Sequence, residues 1–384
     1  MSENMYLPGN IQQVSDDPDL LNLMMNDLRG APDLYKPGNY WRNYEALLLP
    51  ELMALGLRDF RRRRNTVLSS FGAVDESPSM VGFYSRPCGN RPTTTKYNVN
   101  PLKNLFWRLV LRLKPISRRL RDTSLFTSLT LDGVRRLSFE YAKCHGMANG
   151  AAPLDKVEAS TIGNPFDVFT IAGKIYTTSF LNYYLNYSYC CRYVDFHSIG
   201  TIAELGSGLG RQTEVIRKLH PWICHYLFDI PPQLYVCEQY LSSLFPGAVV
   251  SYRSTRALTE MPPPKEGSIF IFGSWKLAEM AGLRWDLFWN AASFQEMEPD
   301  LVLNYLSFVN RNARNYVYLH EAMKGMAQAR KPGELGVLNP TTLEHYRQGL
   351  ADFELTDLSD FTELPSMGSA EYSRSFWKRK KTPA

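Results

Sequence analysis

The chain has 384 residues, 44% hydrophobic and 21% charged, with a formal net charge of +5. This is the balance of an ordinary soluble globular protein, and the small positive excess does not by itself argue for nucleic acid. The longest apolar runs fall far short of the roughly 20 residues that span a bilayer. Six cysteines occur at 88, 144, 190, 191, 224 and 237, with no CxxC pair and no repeated Cys/His spacing. They read as reduced thiols in a cytosolic protein, and no metal is expected from them. The start of the chain is acidic and polar (Glu3, Asp16, Asp17, Asp19). It lacks the basic stretch and apolar core of a secretory signal, so a cytoplasmic location and no membrane partner are expected.

In chain order, residues 1–32 read as a loose leader with a short helix around Leu20–Leu28. Tyr44, Leu47, Leu48, Leu52, Leu55 and Phe60 recur at near-helical spacing and predict a helix from Tyr40 to about Arg64, interrupted late by Gly56. Residues 70–101 are rich in Gly, Pro, Ser and Thr and read as a long loop or short strands. Leu102–Leu113 and Leu131–Cys144 predict further helices. Residues 1–150 are therefore expected to form a mainly helical cap or oligomerisation region, with a homodimer left open. The basic runs Arg61–Arg64, Arg108–Arg121 and Lys378–Lys381 read as solvated helix faces or frayed ends, with a phosphate-bearing acceptor or partner as the alternative.

Ile171–Tyr193 is dense in aromatic residues, and Phe180, Tyr183, Tyr184 and Tyr187 fall at i, i+3, i+4 and i+7. That spacing predicts a buried amphipathic helix. From Ile199 the texture changes. Short apolar runs at Ile199–Leu205, Tyr226–Ile230, Val249–Tyr252, Ser268–Phe272, Trp285–Trp289 and Tyr316–Leu319 alternate with helical stretches at Val215–Leu219, Leu234–Leu244 and Leu301–Asn310. This is the pattern of a mostly parallel α/β sheet covered on both faces. Residues 151–384 are expected to hold it.

The sharpest motif is Glu204-Leu-Gly206-Ser207-Gly208-Leu-Gly210-Arg211, set between a strand and a helix. Glycines there allow a tight turn and close approach of a ligand to the backbone. The dinucleotide fingerprint G-x-G-x-x-G needs a glycine where Arg211 stands. The form E-x-G-x-G-x-G instead resembles the first motif of class I methyltransferases. Asp229, 19 residues after Gly210, ends the next strand. A carboxylate there can accept two hydrogen bonds from ribose hydroxyls, in NAD enzymes and methyltransferases alike; a turn residue ahead of Pro231-Pro232 is the bland alternative.

The resemblance extends beyond this turn. Asp229-Ile-Pro-Pro-Gln-Leu234, Gln239-Tyr-Leu and Asn290-Ala-Ala-Ser-Phe-Gln-Glu-Met297 are similar to the sugar O-methyltransferase family typified by the NanM enzymes of polyketide sugar tailoring. Ile162-Gly-Asn-Pro165 and Trp41 with Gly56-Leu-x-x-Phe60-Arg61 point the same way. The similarity is strongest over 160–300 and weak in the C-terminal third. The resemblance implies a Rossmann-like sheet, S-adenosylmethionine as cofactor, and a sugar-containing small-molecule acceptor.

Glu204, Gly206, Ser207, Gly208, Gly210, Asp229 and Ile230 are the candidate cofactor residues. Ser274 and Trp275 follow a strand where an adenine is often held, although a core role suits Trp275 equally. Thr178 and Ser179 open the aromatic helix as further cofactor candidates, or as helix caps. Strand 285–289 delivers Asn290 to the cofactor and Ser293 and Gln295 to the acceptor; Ser293–Glu296 also reads as a capping box. Glu296 is the first candidate for general base and His320 the second. His345 is placed on a polar helix that reaches in as a lid. Glu296, Glu298, Asp300 and Glu321 are acidic enough for Mg²⁺, but no spacing compels a metal. A non-catalytic RNA-binding or scaffolding protein of this fold is the competing class, motivated by the basic N-terminal helices.

Overall fold

The structure is a computed structural model that describes residues 13–77, 124–279, 282, 284–360 and 372–381. The expected helix at 102–113, most of the loop at 70–101 and Arg108–Arg121 lie outside these residues. Eleven helices are numbered among the described residues: α1 Pro18–Gly30, α2 Asn39–Leu55, α3 Val67–Ser70, α4 Ser124–Ala148, α5 Thr178–Cys190, α6 Arg211–Leu219, α7 Pro231–Leu244, α8 Tyr252–Thr255, α9 Lys276–Glu279, α10 Pro299–Asn312 and α11 Leu343–Gly349. None is long and apolar enough to cross a membrane.

A small hairpin, β1 Phe169–Ile171 with β2 Lys174–Tyr176, precedes the main sheet. The sheet contains β3 Thr201–Leu205, β4 Cys224–Asp229, β5 Val249–Val250, β6 Ile269–Gly273, β7 Trp285–Ala291, β8 Ala313–Glu321, β9 Phe353–Asp360 and β10 Ser373–Arg379. Their order is β5-β6-β4-β3-β7-β8-β10-β9. Strands β3 to β8 pair in parallel, and β10 runs antiparallel to both β8 and β9. The Rossmann-like α/β class expected from the alternation is therefore what the chain forms. β3, β4 and β6 are buried at every position, as parallel strands covered on both faces must be.

The chain leaves β3 toward β4 on one side and later returns to β7 on the other. Ligands of open α/β sheets bind at such a switch point, beyond the carboxyl ends of the strands. One face of the sheet packs on α4–α6 through Phe180, Leu181, Ile202, Trp289 and Tyr318, and on α1, α2 and α7 through Leu21, Met24, Leu48, Leu227 and Val236. The other face packs on α10 and α11 through Phe228, Phe288, Tyr305, Leu306 and Tyr346. The cores thus run across residue 150. Leu20, Leu21 and Met24 of α1 share one core with Tyr235 and Tyr240 of α7, and Val134 and Leu137 of α4 share another with Phe180 of α5.

Two of the boundaries that differ from expectation have a clear local cause. α2 stops at Leu55 because Gly56 adopts φ 54°, outside helical backbone, while its N–H closes on the Leu52 carbonyl. The strand expected at Val249–Tyr252 is only two residues long, because Ser251 accepts the Arg253 N–H and caps α8.

A buried ionic cluster ties the N-terminal segment to the sheet. Asp75 lies 2.8 Å from Arg61 and 3.2 Å from Arg211, with all three side chains at most 1% exposed. Arg211 also faces Glu214 at 3.4 Å, which Lys218 approaches to 2.8 Å and to which Tyr240 donates at 2.7 Å. Arg61 further donates to the Ser160 and Ile162 carbonyls. Burial disfavours the ionised Asp75, but Arg211 and Arg61 outweigh it and hold the carboxyl well below the usual range. Removing one partner of a buried pair costs about 3–5 kcal/mol, because the remaining charge is stranded. Asp75→Ala is accordingly expected to lower stability to urea by that amount. Asp33→Ala, at a 95% exposed side chain, should change it by less than about 0.5 kcal/mol. Equal effects of the two would contradict the structural weight given to the cluster.

Candidate functional site

The glycine turn follows β3 directly. Gly206, Gly208 and Gly210 have φ of 77°, 54° and 74°, a left-handed region that costs other residues about 1–2 kcal/mol. A Cβ on Gly206 would lie 2.3 Å from Ser293 Cβ, so the turn and the loop after β7 meet only through the absent side chain. A Cβ on Gly208 would meet nothing. Gly206 and Gly208 face a cavity of about 430 Å³ at the carboxyl ends of β3, β4 and β7.

Asp229 closes β4 beside them. Its Oδ2 accepts the Gly208 N–H and its Oδ1 the Ile230 N–H, both at 2.7 Å. Burial pushes its carboxyl up to about 7, against the pull of these two donors. Ile230, Gln233 and Ser274 continue this wall of the cavity. Ser274 donates its N–H to the Asp229 carbonyl at 2.9 Å. Gln233 is 3% exposed, and its Oε1 has no hydrogen-bond partner among the described residues. Glu204 sits at the base, pushed up to about 8 by burial, with Thr213 Oγ1 donating to it at 3.2 Å.

The opposite wall comes from the ends of β7 and β8. The chain turns out of β7 through Ala292 at φ 60°, a strained conformation for a residue with a Cβ. Neighbours hold it there. Ala292 N–H donates to the His320 carbonyl at 2.8 Å, and the Glu321 carboxylate accepts Gln295 N–H at 3.0 Å and Ser293 N–H at 3.4 Å. Glu321 therefore does the capping that Ser293 was expected to do; the Ser293 side chain makes no cap bond to the turn Phe294–Glu296. Ser293, Glu296 and His320 all line the cavity. Burial and the facing Glu321 raise the Glu296 carboxyl well above its usual value, and burial lifts Glu321 to about 8. Burial and Arg374 keep the His320 imidazole well below its usual value, so it is neutral.

Several expected site residues lie behind this wall. Trp275 folds back over Gly273, against which a Cβ would lie 2.4 Å from its ring, and belongs to the core with α1 and α7. Asn290 bridges the turn by donating to the Leu205 carbonyl and accepting Phe294 N–H. Gln295 accepts Ala322 N–H and donates to Tyr372. Thr178 hydrogen-bonds Ser77, while Thr177 is the residue that caps α5. Gly210 gives room to Leu241 and Cys237 of α7. His345 is no lid residue: it caps α11 with Thr342. Glu298 accepts Leu338 and Asn339 N–H groups, and no metal-holding group of His, Cys, Asp or Glu occurs among the described residues.

Ser179, a cofactor candidate from sequence, does line the cavity, while Asn182 and Asn186 were not singled out and Tyr183 was expected in the buried stripe. Ser179, Asn182, Tyr183 and Asn186 of α5 fall at i, i+3, i+4 and i+7 and present one polar stripe to the cavity. The apolar stripe of the same helix was legible; its polar neighbour was the missed signal. Gln212, Tyr40, Trp41 and Phe71 complete the wall. The Gln212 Oε1 is buried without a partner among the described residues. Within the run Arg61–Arg64, Arg61 is buried and Arg64 exposed, and each of the four has a partner in the chain. Arg61 meets Asp75, Arg62 meets Asn164, Arg63 meets the Leu55 and Gly56 carbonyls, and Arg64 meets Glu76.

Comparison with known proteins gives a distant picture. No protein-family model and no curated protein sequence matches the chain. Among solved structures it is similar to magnesium protoporphyrin IX methyltransferase ChlM from Synechocystis PCC 6803 with bound SAM, at 12% identity over 47% of this chain and 69% of that one, TM-score 0.30. It is also similar to the pyocyanin biosynthetic protein PhzM (16% identity, 50% and 53%, TM-score 0.34) and the mitomycin 7-O-methyltransferase MmcR (12%, 52% and 57%, TM-score 0.33). The chain thus spans little more than half the length of the last two.

Proposed function

We propose that this chain is an S-adenosylmethionine-dependent O-methyltransferase whose acceptor is a hydroxyl of a sugar-containing small molecule. The observation that carries the reading is the pairing, on one cavity, of the left-handed turn Gly206–Gly208 with the buried Asp229 carboxylate. Each Asp229 oxygen accepts one backbone N–H and retains a lone pair for a ribose hydroxyl. The cradle at Gly208 is open, and the Gln233 amide oxygen is a buried acceptor without a donor among the described residues. These features suit a nucleoside, with Gln233 and Ser274 at the base and Asp229 at the ribose. Glu204, Gly206 and Ser207 flank the amino-acid end.

Bound there, S-adenosylmethionine supplies an electrophilic methyl group. The protein's part is to align the acceptor oxygen and remove its proton. Glu296 is the base in this reading, receiving the hydroxyl proton on its carboxylate. Trp41, Phe71 and Tyr183 offer ring faces, and Asn182 and Asn186 offer amides, which together match the apolar face and hydroxyl edge of a sugar. The Ser293–Met297 resemblance supports the same acceptor. A methyltransferase for another small molecule, at O or N, keeps every cofactor role and changes only this wall.

Calorimetry with S-adenosylhomocysteine tests the cofactor site. The protein is expected to bind it, and Asp229→Ala to weaken binding more than about tenfold, since hydrogen bonds to a charged group contribute about 1.5–3 kcal/mol each. Affinity should fall as pH is lowered through about 7, because protonated Asp229 loses acceptor capacity. Absence of binding by the wild-type protein would refute the reading.

The base is tested by pH. An ionised Glu296 is needed and its carboxyl is held high, so turnover of labelled S-adenosylmethionine with sugar acceptors should rise with pH above the ordinary carboxylate range. With S-adenosylmethionine kept saturating at each pH, a His320 base predicts a rate already level there, since its imidazole is neutral.

A further inference from the structure

The seam between α5 and α6 holds a buried acceptor. Gln212, on the first turn of α6, lines the same cavity as Glu204, Gly206 and Ser207. It is 3% exposed. Its Nε2 donates to the Tyr183 carbonyl of α5 at 3.2 Å. A carbonyl only accepts, so this bond fixes which end of the amide is nitrogen. Oε1 is left without a partner among the described residues. Leaving a buried acceptor without a donor costs free energy, so such an atom points to a group that the protein itself does not supply.

Gln212 is held on both sides. α5 and α6 share one core through Leu181, Leu185, Val215 and Ile216. Arg211, the preceding residue, pairs with Asp75 at 3.2 Å and with Glu214 at 3.4 Å. Thr213, the following one, donates to Glu204 at 3.2 Å. The charge around the cavity favours a cation. Glu76, Glu204, Asp229 and Glu296 line it, and among the described residues no lysine or arginine does. A ligand that places a ribose on Asp229 and crosses Gly206–Gly208 brings its other end toward α6, where Gln212 and Glu204 stand. An ammonium at that end is both a donor for Oε1 and a counter-charge for Glu204.

We propose that Gln212 receives the α-ammonium of the cofactor's amino-acid end, its amide held by the Tyr183 carbonyl so that oxygen is the atom left to accept. This rests on S-adenosylmethionine being the cofactor. It adds to that reading a residue outside both the glycine turn and the Asp229 wall, and it gives Gln212 to the cofactor rather than to the acceptor.

The test compares two ligands by calorimetry on the full-length protein: S-adenosylhomocysteine and its deamino analogue, in which hydrogen replaces the α-amino group. The wild-type protein should prefer S-adenosylhomocysteine by more than about tenfold, the size expected of a hydrogen bond to a charged group. Gln212→Met keeps the length of the side chain and removes the amide. It should weaken S-adenosylhomocysteine about tenfold and leave the analogue within about twofold, so that the preference shrinks. A purely structural role would weaken both ligands alike, and a role toward the acceptor would weaken neither; either result overturns the inference. If Gln212→Met does not fold, Gln212→Ala is read by the same ratio. A wild-type protein that binds both ligands equally overturns the inference without any variant. The outcomes separate the two claims. Absence of S-adenosylhomocysteine binding by the wild type refutes the cofactor reading, whereas binding with a preference that survives Gln212→Met refutes the Gln212 role alone.

Discussion

The arrangement depends on one buried charge, Asp75. Both Arg61, from the N-terminal segment, and Arg211, the first residue after the glycine turn, pair with it inside the protein. A buried ion pair adds little net stability over a well-packed apolar cluster. Its effect here is to fix relative position. Arg61 and Arg211 cannot separate without leaving a charge unpaired in the interior. The segment that carries Tyr40, Trp41 and Phe71 is thereby set in register with Gly206–Gly210.

That constraint makes the cavity a joint product of two parts of the chain. The parallel strands β3, β4 and β7 bring the glycine turn, Asp229 and Ser293 to one edge. This follows from sheet topology and from the missing side chain at Gly206. The facing wall comes from α2, α5 and the turn after β7. Burial then sets the electrostatics. Asp229, Glu204 and Glu321 are all pushed up, to about 7, 8 and 8, because burial disfavours their charged forms. Such a site holds protons readily. Once ionised, its carboxylates accept hydrogen bonds and protons strongly.

Much of this was legible in the sequence where local physics decides the outcome. The alternation of short apolar runs and helices gave the α/β class, because fully buried parallel strands leave little other composition. Glu204–Gly208 and Asp229 come to one cavity because turn chemistry and strand length fix their distance. The misreadings lie where tertiary contacts choose between local options. Ser293–Glu296 has the spacing of a capping box, yet Glu321, 25 residues on, caps the turn. Trp275 and Asn290 stand at the ends of strands as ligand residues do, but β6 and β7 turn them inward. β9 and β10 were missed because Glu354, Thr356, Asp357, Lys378 and Arg379 break the apolar pattern at an edge of the sheet. Arg61 read as part of a solvated run because no local signal announces Asp75 as its partner.

The account stands most directly on the claim that one nucleoside-containing ligand is held between the glycine turn and the wall built on Asp229. Amide hydrogen exchange with and without S-adenosylhomocysteine measures this on the intact protein. Exchange is predicted to slow together at Gly206–Gly210 and at the Ile230 and Gln233 amides, which follow different strands and come together at the cavity. Unchanged exchange at both segments under saturating ligand, or protection confined to a distant surface, would contradict it.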